Sequence, residues 1–245
     1  MNNIKPQLVL FYTDNSLLSK ANILSEFTNC FKLVEVEPKS LTFYLRLDNN
    51  GLAIISSTFK PLYISEIYAN LVSRYKNLKT ELLVQLVKDK DIAKIWDLTA
   101  GLGKDAFMMA SAGYEVTMVE QNPMLATILY YALNNNILPK RNLHLVYANS
   151  IDFLGTSTDT PDIIYLDPMF KESATSKAKK EMQLIQMLTN NDKVSDDVEL
   201  FNTALAIASR RVIIKRDNKQ ATLVNAPLPS YTKTGKTIRF DVYNT

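Results

Sequence analysis

A chain of 245 residues, 47% hydrophobic and 22% charged, has the length for one large domain or for one domain with a small extension, and the composition of an ordinary globular protein. A formal net charge of +3 permits contact with nucleic acid without requiring it. The lone cysteine, Cys30, excludes an internal disulfide framework and points to a reducing compartment; the lone histidine, His144, has no cysteine cluster beside it and cannot build a metal site.

Residues 1–64 read as a small α/β subdomain. "QLVLFYT" (7–13), "FKLVEVE" (31–37) and "LTFYLRL" (41–47) have the apolar, β-branched and aromatic character of strands. "SLLSKANILSEF" (16–27) has helical spacing, with Leu17, Ala21 and Leu24 on one face. Cys30, in "EFTNCFKLV", reads as a small core residue. "DNNG" (48–51) is a turn able to close a hairpin onto "LAIIS" (52–56). The N-terminus lacks a basic start followed by a long apolar core, so no secretory signal is expected, and no stretch approaches the roughly 18 to 20 apolar residues of a membrane span. The expected setting is the cytoplasm.

Residues 65–245 read as a second, larger domain, led by a mainly helical segment at 65–91. From residue 92 strand, loop and helix alternate: "IAKIWDL", "TAGLG", "KDAFMMASAG"; then "EVTMVE" and "PMLATILYYALNN"; then "NLHLVYA" with "SIDFLG"; then "PDIIYL" with "DPMF". Two helices, "SKAKKEMQLIQMLTN" and "DVELFNTALAIAS", precede a strand, "RRVIIKR". Alternation of this kind, with strands that are apolar throughout, means a parallel sheet covered on both faces. "ATLVNAP" (221–227) and "TIRFDVY" (237–243) have no helix between them and are expected to pair as antiparallel neighbours at the end of the sheet.

"WDLTAGLGKDAF" (96–107) is a glycine-bearing turn between a strand and a helix. Gly101 and Gly103 let the backbone approach a ligand, and the helix that follows offers its N-terminal N–H groups. Nineteen residues after Gly101, at the end of the next strand, Glu120 can accept hydrogen bonds from both hydroxyls of a ribose. "GLGKDA" suits a nicotinamide dinucleotide. "DLTAGLG" equally suits S-adenosylmethionine, with Thr99 in place of a glycine and Asp97 near the methionine end. The loop alone leaves both open. A chain that ends in a hairpin, rather than a second dinucleotide-binding half, favours the methyl donor.

"YLDPMF" (165–170) ends the fourth strand of this domain at the side of the sheet where parallel α/β proteins place function. Pro168 holds Asp167 extended and leaves a carbonyl free. A carboxylate and a carbonyl together suit the two N–H donors of a planar exocyclic amine, and Phe170 can stack on its base. Asp167, Pro168 and Phe170 are therefore the candidate catalytic residues, working mainly by alignment. The bland alternative is a turn, with Asp167 as a cap and Phe170 in the core. The cationic residues Lys171, Lys177, Lys179 and Lys180, with Lys215 and Arg216 at another strand end, are candidate contacts to RNA phosphates.

In "DLTAGLGKDAF", "MVEQNP", "YLDPMF", "KKEM", "VIIKR" and "TKTGKTIRFDVY", residues 92–245 resemble the bacterial small-subunit ribosomal RNA guanine-N2 methyltransferases called RsmJ. The resemblance implies a class I, Rossmann-like methyltransferase: a mostly parallel seven-stranded sheet with an antiparallel C-terminal strand, here with the small N-terminal α/β extension. It implies S-adenosyl-L-methionine as cofactor, no metal, and 16S ribosomal RNA or the small ribosomal subunit as partner. It places cofactor contacts at Lys104, Asp105, Glu120, Gln121, Asn149, Ser150 and Asp167, beside Asp97, Gly101 and Gly103. Two features depart from the family pattern. "SRYKNLKTELLVQL" has no glycine where a glycine- and arginine-rich segment is usual, and Lys104 and Gln121 stand where arginine is frequent. The rival readings are an adenine-N6 methyltransferase, a nicotinamide-dependent oxidoreductase and a non-catalytic RNA-binding module.

Overall fold

Short apolar runs separated by turn residues build the first of two sheets. The computed structural model describes residues 8–69, 71–138, 142–168, 197–222 and 226–245. The chain divides into two compact units, Met1–Leu71 with Pro123–Lys140, and Val72–Asn122 with Arg141–Thr245.

In the first unit β1 (Leu8–Tyr12), β2 (Phe31–Val34), β3 (Phe43–Asp48), β4 (Gly51–Ser56) and β5 (Leu62–Tyr63) lie in the order β2-β1-β3-β4-β5. β1 runs parallel to both β2 and β3, and β3, β4 and β5 follow as antiparallel neighbours. The β3–β4 hairpin closes at "DNNG": the Asp48 carboxylate accepts the Asn50 N–H at 2.8 Å, and Gly51 takes the φ of 120° that a side chain would resist. The crossover from β1 to β2 is α1 (Leu18–Thr28), which buries Ala21, Leu24 and Thr28 along one stripe and stops at Asn29 in the left-handed region. Leu17, expected on that stripe, lies half-buried in the single 3₁₀ turn before it, which Asp14 caps. Cys30 is half-buried rather than in the core; its thiol donates to the Thr28 carbonyl at 3.2 Å.

The unit is completed by a helix from further along the chain, Pro123–Asn134. Nearly every residue of it is buried, as an apolar surface on all sides requires. Its Tyr130 ring stacks on Phe27 of α1, with centroids 4.2 Å apart.

Residues 64–87 break into α2 (Ile64–Tyr68), α3 (Leu71–Lys76), a 3₁₀ turn and α4 (Leu82–Val87). The second unit then builds β6 (Lys94–Asp97), α5 (Lys104–Ser111) and β7 (Glu115–Glu120). After α6, the Pro123–Asn134 helix, come β8 (Leu143–Tyr147), α7 (Ser150–Thr156), β9 (Ile163–Leu166), α8 (Asp197–Ile207), β10 (Arg211–Asp217), β11 (Tyr231–Thr234) and β12 (Ile238–Asn244).

These seven strands form one sheet in the order β11-β12-β10-β9-β6-β7-β8. β12 is antiparallel to both β10 and β11, so it alone runs against the other strands. The expected seven-stranded sheet with one antiparallel C-terminal strand is the fold found. α7 and α8 cover one face of the sheet. There Trp96, Leu154, Ile164, Phe201, Ile214 and Tyr243 share a core.

One strand assignment is corrected. "ATLVNAP" was expected to pair with the last strand, but its described residues lie outside strands, and β12 pairs instead with Tyr231–Thr234. Pro227 and Pro229 explain the shift, because a proline cannot donate to a ladder. Gly235 forms the new turn, donating its N–H to the Ile238 carbonyl at 2.7 Å. A Cβ there would stand 2.8 Å from Leu82 Cδ1.

The strand order reverses at β6, between β9 and β7. The carboxyl ends of these strands flank the switch point where open α/β sheets hold ligands.

Candidate active site

β6 ends in Asp97, and the chain turns through Thr99–Gly103 into α5. Gly101 and Gly103 have φ of 55° and 64°, left-handed values that spare the loop a strained side chain. Glu120, at the end of β7, fixes this loop from the side. Its two carboxylate oxygens accept the N–H groups of Gly101 and Asn122, each at 2.7 Å. Ala100 joins the same strand end through its N–H to the Val119 carbonyl at 3.2 Å.

Asp97 is 2% exposed and accepts the Thr99 N–H at 3.2 Å. Burial pushes its pKa well above the ordinary carboxylate value, and the Thr99 N–H only partly opposes this.

Asn149 caps α7 through the Ile151 and Asp152 N–H groups, and its side-chain amide donates to the Gln121 Oε1 at 2.9 Å. Ser150 donates its hydroxyl to the Leu98 carbonyl. Glu120, Gln121, Asn149 and Ser150 thus line up along the ends of β6, β7 and β8.

On the other side of β6, Asp167 follows the end of β9. Its backbone N–H donates to the Thr99 hydroxyl at 2.6 Å, so the residue that replaces a glycine of the common motif ties the two loops together. Lys215, on β10, donates to Asp167 Oδ2 and to Asp105 Oδ2, both at 2.7 Å. The register places Ile214 opposite Leu166, so the next residue on each strand brings Lys215 to Asp167. Asp105 also accepts the Tyr165 hydroxyl at 2.8 Å and Arg74 Nη2 at 3.4 Å, and Arg74 in turn is held by Glu81 at 3.0 Å.

The charges respond accordingly. Burial pushes Asp105 up, but Lys215, Arg74 and the Tyr165 hydroxyl outweigh it and lower its pKa to about 2. Asp167 moves the other way: burial raises it, and the Asp105 charge adds to the rise against the pull of Lys215. Its side chain is 40% exposed, so water tempers that rise. Burial would depress Lys215, yet its two carboxylates hold it above the ordinary lysine value. Tyr165, buried and beside Asp105, is raised well above the ordinary phenol value.

Residues 27–245 match the family model described as "Putative SAM-dependent methyltransferase". A protein of Thioalkalivibrio sulfidiphilus named ribosomal RNA small subunit methyltransferase J is 36% identical over 217 residues, covering 82% of this chain and 84% of its own. The protein of that name from Legionella pneumophila strain Paris is 33% identical over 99% of this chain and 97% of its own. The chain belongs to the ribosomal RNA small subunit methyltransferase J family. A solved SAM-dependent methyltransferase from Neisseria gonorrhoeae, 25% identical, superposes with a TM-score of 0.74 over 96% of this chain and 95% of that one.

Membership of this family makes S-adenosylmethionine the cofactor, and the residues present fit it. A carboxylate offers about four lone-pair sites, enough for Glu120 to hold the loop and to accept a ribose diol. The left-handed glycine loop and the start of α5 supply backbone N–H groups beside it. Asp105 is less open to the cofactor than the family pattern implies, since three side chains already occupy its carboxylate.

Two further expectations change. Lys215 is paired with two carboxylates rather than presented to phosphate. Arg216 alternates to the opposite side of β10, where it is 4% exposed, lies 3.7 Å from Asp241 and donates to the Ala221 carbonyl. A guanidinium buried this way is out of reach of a phosphate. Phe170, Lys171, Lys177, Lys179 and Lys180 lie outside the described residues. Arg74, Glu81, Tyr165 and the Thr99 hydroxyl were not anticipated; only the unusual threonine in the glycine motif signalled any of them.

Proposed function

We propose that this protein methylates the exocyclic N2 of a guanine in 16S ribosomal RNA, in the naked RNA or in the small ribosomal subunit, and does so in the cytoplasm. Its curated relatives carry the name of a small-subunit ribosomal RNA methyltransferase over nearly the whole chain. Among the described residues no helix is long and apolar enough to cross a membrane.

The observation that carries the chemistry is Asp167 at the switch point, its backbone bound to the glycine loop through Thr99 and one carboxylate oxygen bound by Lys215. S-adenosylmethionine supplies a methyl group on a sulfonium, which needs an aligned nucleophile more than a strong base. The second oxygen of Asp167 and the carbonyl of Pro168 accept the two N–H groups of the amine and so aim its lone pair. Asp167 also accepts the proton shed after transfer. Phe170 stacks on the flipped base, and Lys171, Lys177, Lys179 and Lys180 meet the phosphates that flank it.

The test is transfer of a labelled methyl group by the purified protein to 16S RNA, to small subunits and to DNA, followed by nucleoside analysis. N2-methylguanosine in the ribosomal substrate is the expected product. N6-methyladenine, or label in DNA alone, overturns the reading. Calorimetry should find S-adenosylhomocysteine bound and NAD unbound.

A further inference from the structure

We infer that Lys215 is a positioning residue for methyl transfer: it fixes Asp167 with one oxygen engaged and one left for the target amine, and through Asp105 it locks that acid to the helix that follows the cofactor loop. The inference rests on the proposed role of Asp167.

Lys215 stands within the β10 strand with its side chain 23% exposed. Removing an ammonium group from water is costly, so a largely buried lysine here depends on close carboxylate partners. Its geometry is that of a clasp. An ammonium has three donors, and two of them reach Asp105 Oδ2 and Asp167 Oδ2, at 2.7 Å each. The two carboxylates come from different places: Asp105 from the first turn of α5, Asp167 from the end of β9.

They depend on the clasp unequally. Asp105 keeps the Tyr165 hydroxyl and Arg74 if Lys215 is lost. For the Asp167 carboxylate, Lys215 is the cation in contact among the described residues. With Lys215 gone, its oxygens are free to rotate away from the amine.

Charge points the same way. Among the described residues the groups around Asp167 are Lys215 from β10, Asp105 from α5, buried Asp97 from β6 and Tyr165 from β9, with Arg74 and Glu81 behind Asp105. Counting Arg74 and Lys215 against Glu81, Asp105 and Asp167, the ionised cluster carries one net negative charge. Without Lys215 it carries two, and Asp167, the more weakly supported acid, takes up a proton more readily. A protonated Asp167 has one fewer acceptor for the amine, so the loss is greatest at low pH.

The experiment is single-turnover transfer to small subunits at saturating S-adenosylmethionine between pH 5 and 9, with S-adenosylhomocysteine affinity measured alongside. Lys215→Met should lose more than tenfold in rate at neutral pH and recover part of it as pH rises. The acid limb of its profile should move to higher pH, with the affinity changed by less than about threefold. Lys215→Arg, which keeps the cation, should restore part of the rate and return the limb toward its original place. Asp105→Asn should move the limb the opposite way, to lower pH, because it removes a negative charge beside Asp167; it carries the test should Lys215→Met not fold. An unmoved limb in the variants overturns the inference, whether the rate is unchanged or falls equally at every pH. An inactive wild-type protein would instead remove the methyl-transfer reading itself, and the role of Lys215 with it.

Discussion

Glu120 and Asp167 sit at the ends of two strands that flank β6 on either side, and they are held by opposite means. Glu120 binds two backbone N–H groups, those of Gly101 and Asn122, so the fold itself fixes it. Among the described residues the Asp167 carboxylate is held by one side chain, Lys215. The first arrangement suits an acid that grips a cofactor in one fixed pose. The second leaves an acid whose charge and direction respond to its neighbours, as an acid that receives an amine and then a proton requires. Two carboxylates at related positions of one sheet thus differ in what holds them, backbone N–H groups for one and an ammonium group for the other.

The largest expected effect falls on Asp167. Asp167→Ala should cut the saturated transfer rate by more than tenfold, since a lost charged hydrogen bond is worth about 1.5 to 3 kcal/mol and each 1.36 kcal/mol is tenfold. Asp167→Asn should be milder, as its amide oxygen still accepts one bond. Glu120→Ala should weaken S-adenosylmethionine binding by about 1.5 to 3 kcal/mol in calorimetry. Unchanged affinity in a folded variant would take Glu120 out of the site.

Next comes a pH effect at the clasp between the two sides. Asp105 is lowered from 3.8 to about 2, so its ion pairs stabilise the native state fully above the unfolded value near 4. That contribution, about 2 kcal/mol at 1.36 kcal/mol per unit, is lost as pH falls from about 4 toward 2. Denaturant midpoints for wild type and Asp105→Asn should converge over that window. A constant gap down to pH 2 would contradict the assignment. The smallest effect is Gly101→Ala. The nearest atom to the added Cβ is 3.9 Å away, so the cost is the left-handed backbone alone, about 1 kcal/mol in thermal unfolding.

The placing of Glu120 and Asp167 at strand ends beside the glycine loop was legible in the sequence because their signals are local. Glu120 lies at a fixed spacing from Gly101, and Asp167 precedes a proline at the end of an apolar run. The alternation from residue 92 likewise gave the parallel sheet. The ion pairs of Lys215 were not legible because, in "RRVIIKR", it looks like its cationic neighbours. Its pairing with Asp167 follows from strand order, which sets β10 beside β9, and that is a tertiary fact. The same alternation along β10 sends Arg216 to the other face. Arg74 had no local signature at all: its partners Glu81 and Asp105 are seven and 31 residues away. The misplaced strand at 221–227 was a local signal misjudged, since the prolines in "NAPLPS" already argued against a ladder.

The central claim, one acid for the cofactor and one for the transferred methyl group, is tested most directly by crossing the two measurements. S-adenosylmethionine affinity and the single-turnover rate at saturating cofactor would be determined for Glu120→Ala and Asp167→Ala side by side, on the same small-subunit substrate. The account predicts that Glu120→Ala moves chiefly the affinity and Asp167→Ala chiefly the rate. If both substitutions move the affinity and leave the saturated rate at the wild-type value, Asp167 is a second cofactor ligand and the division of labour is wrong.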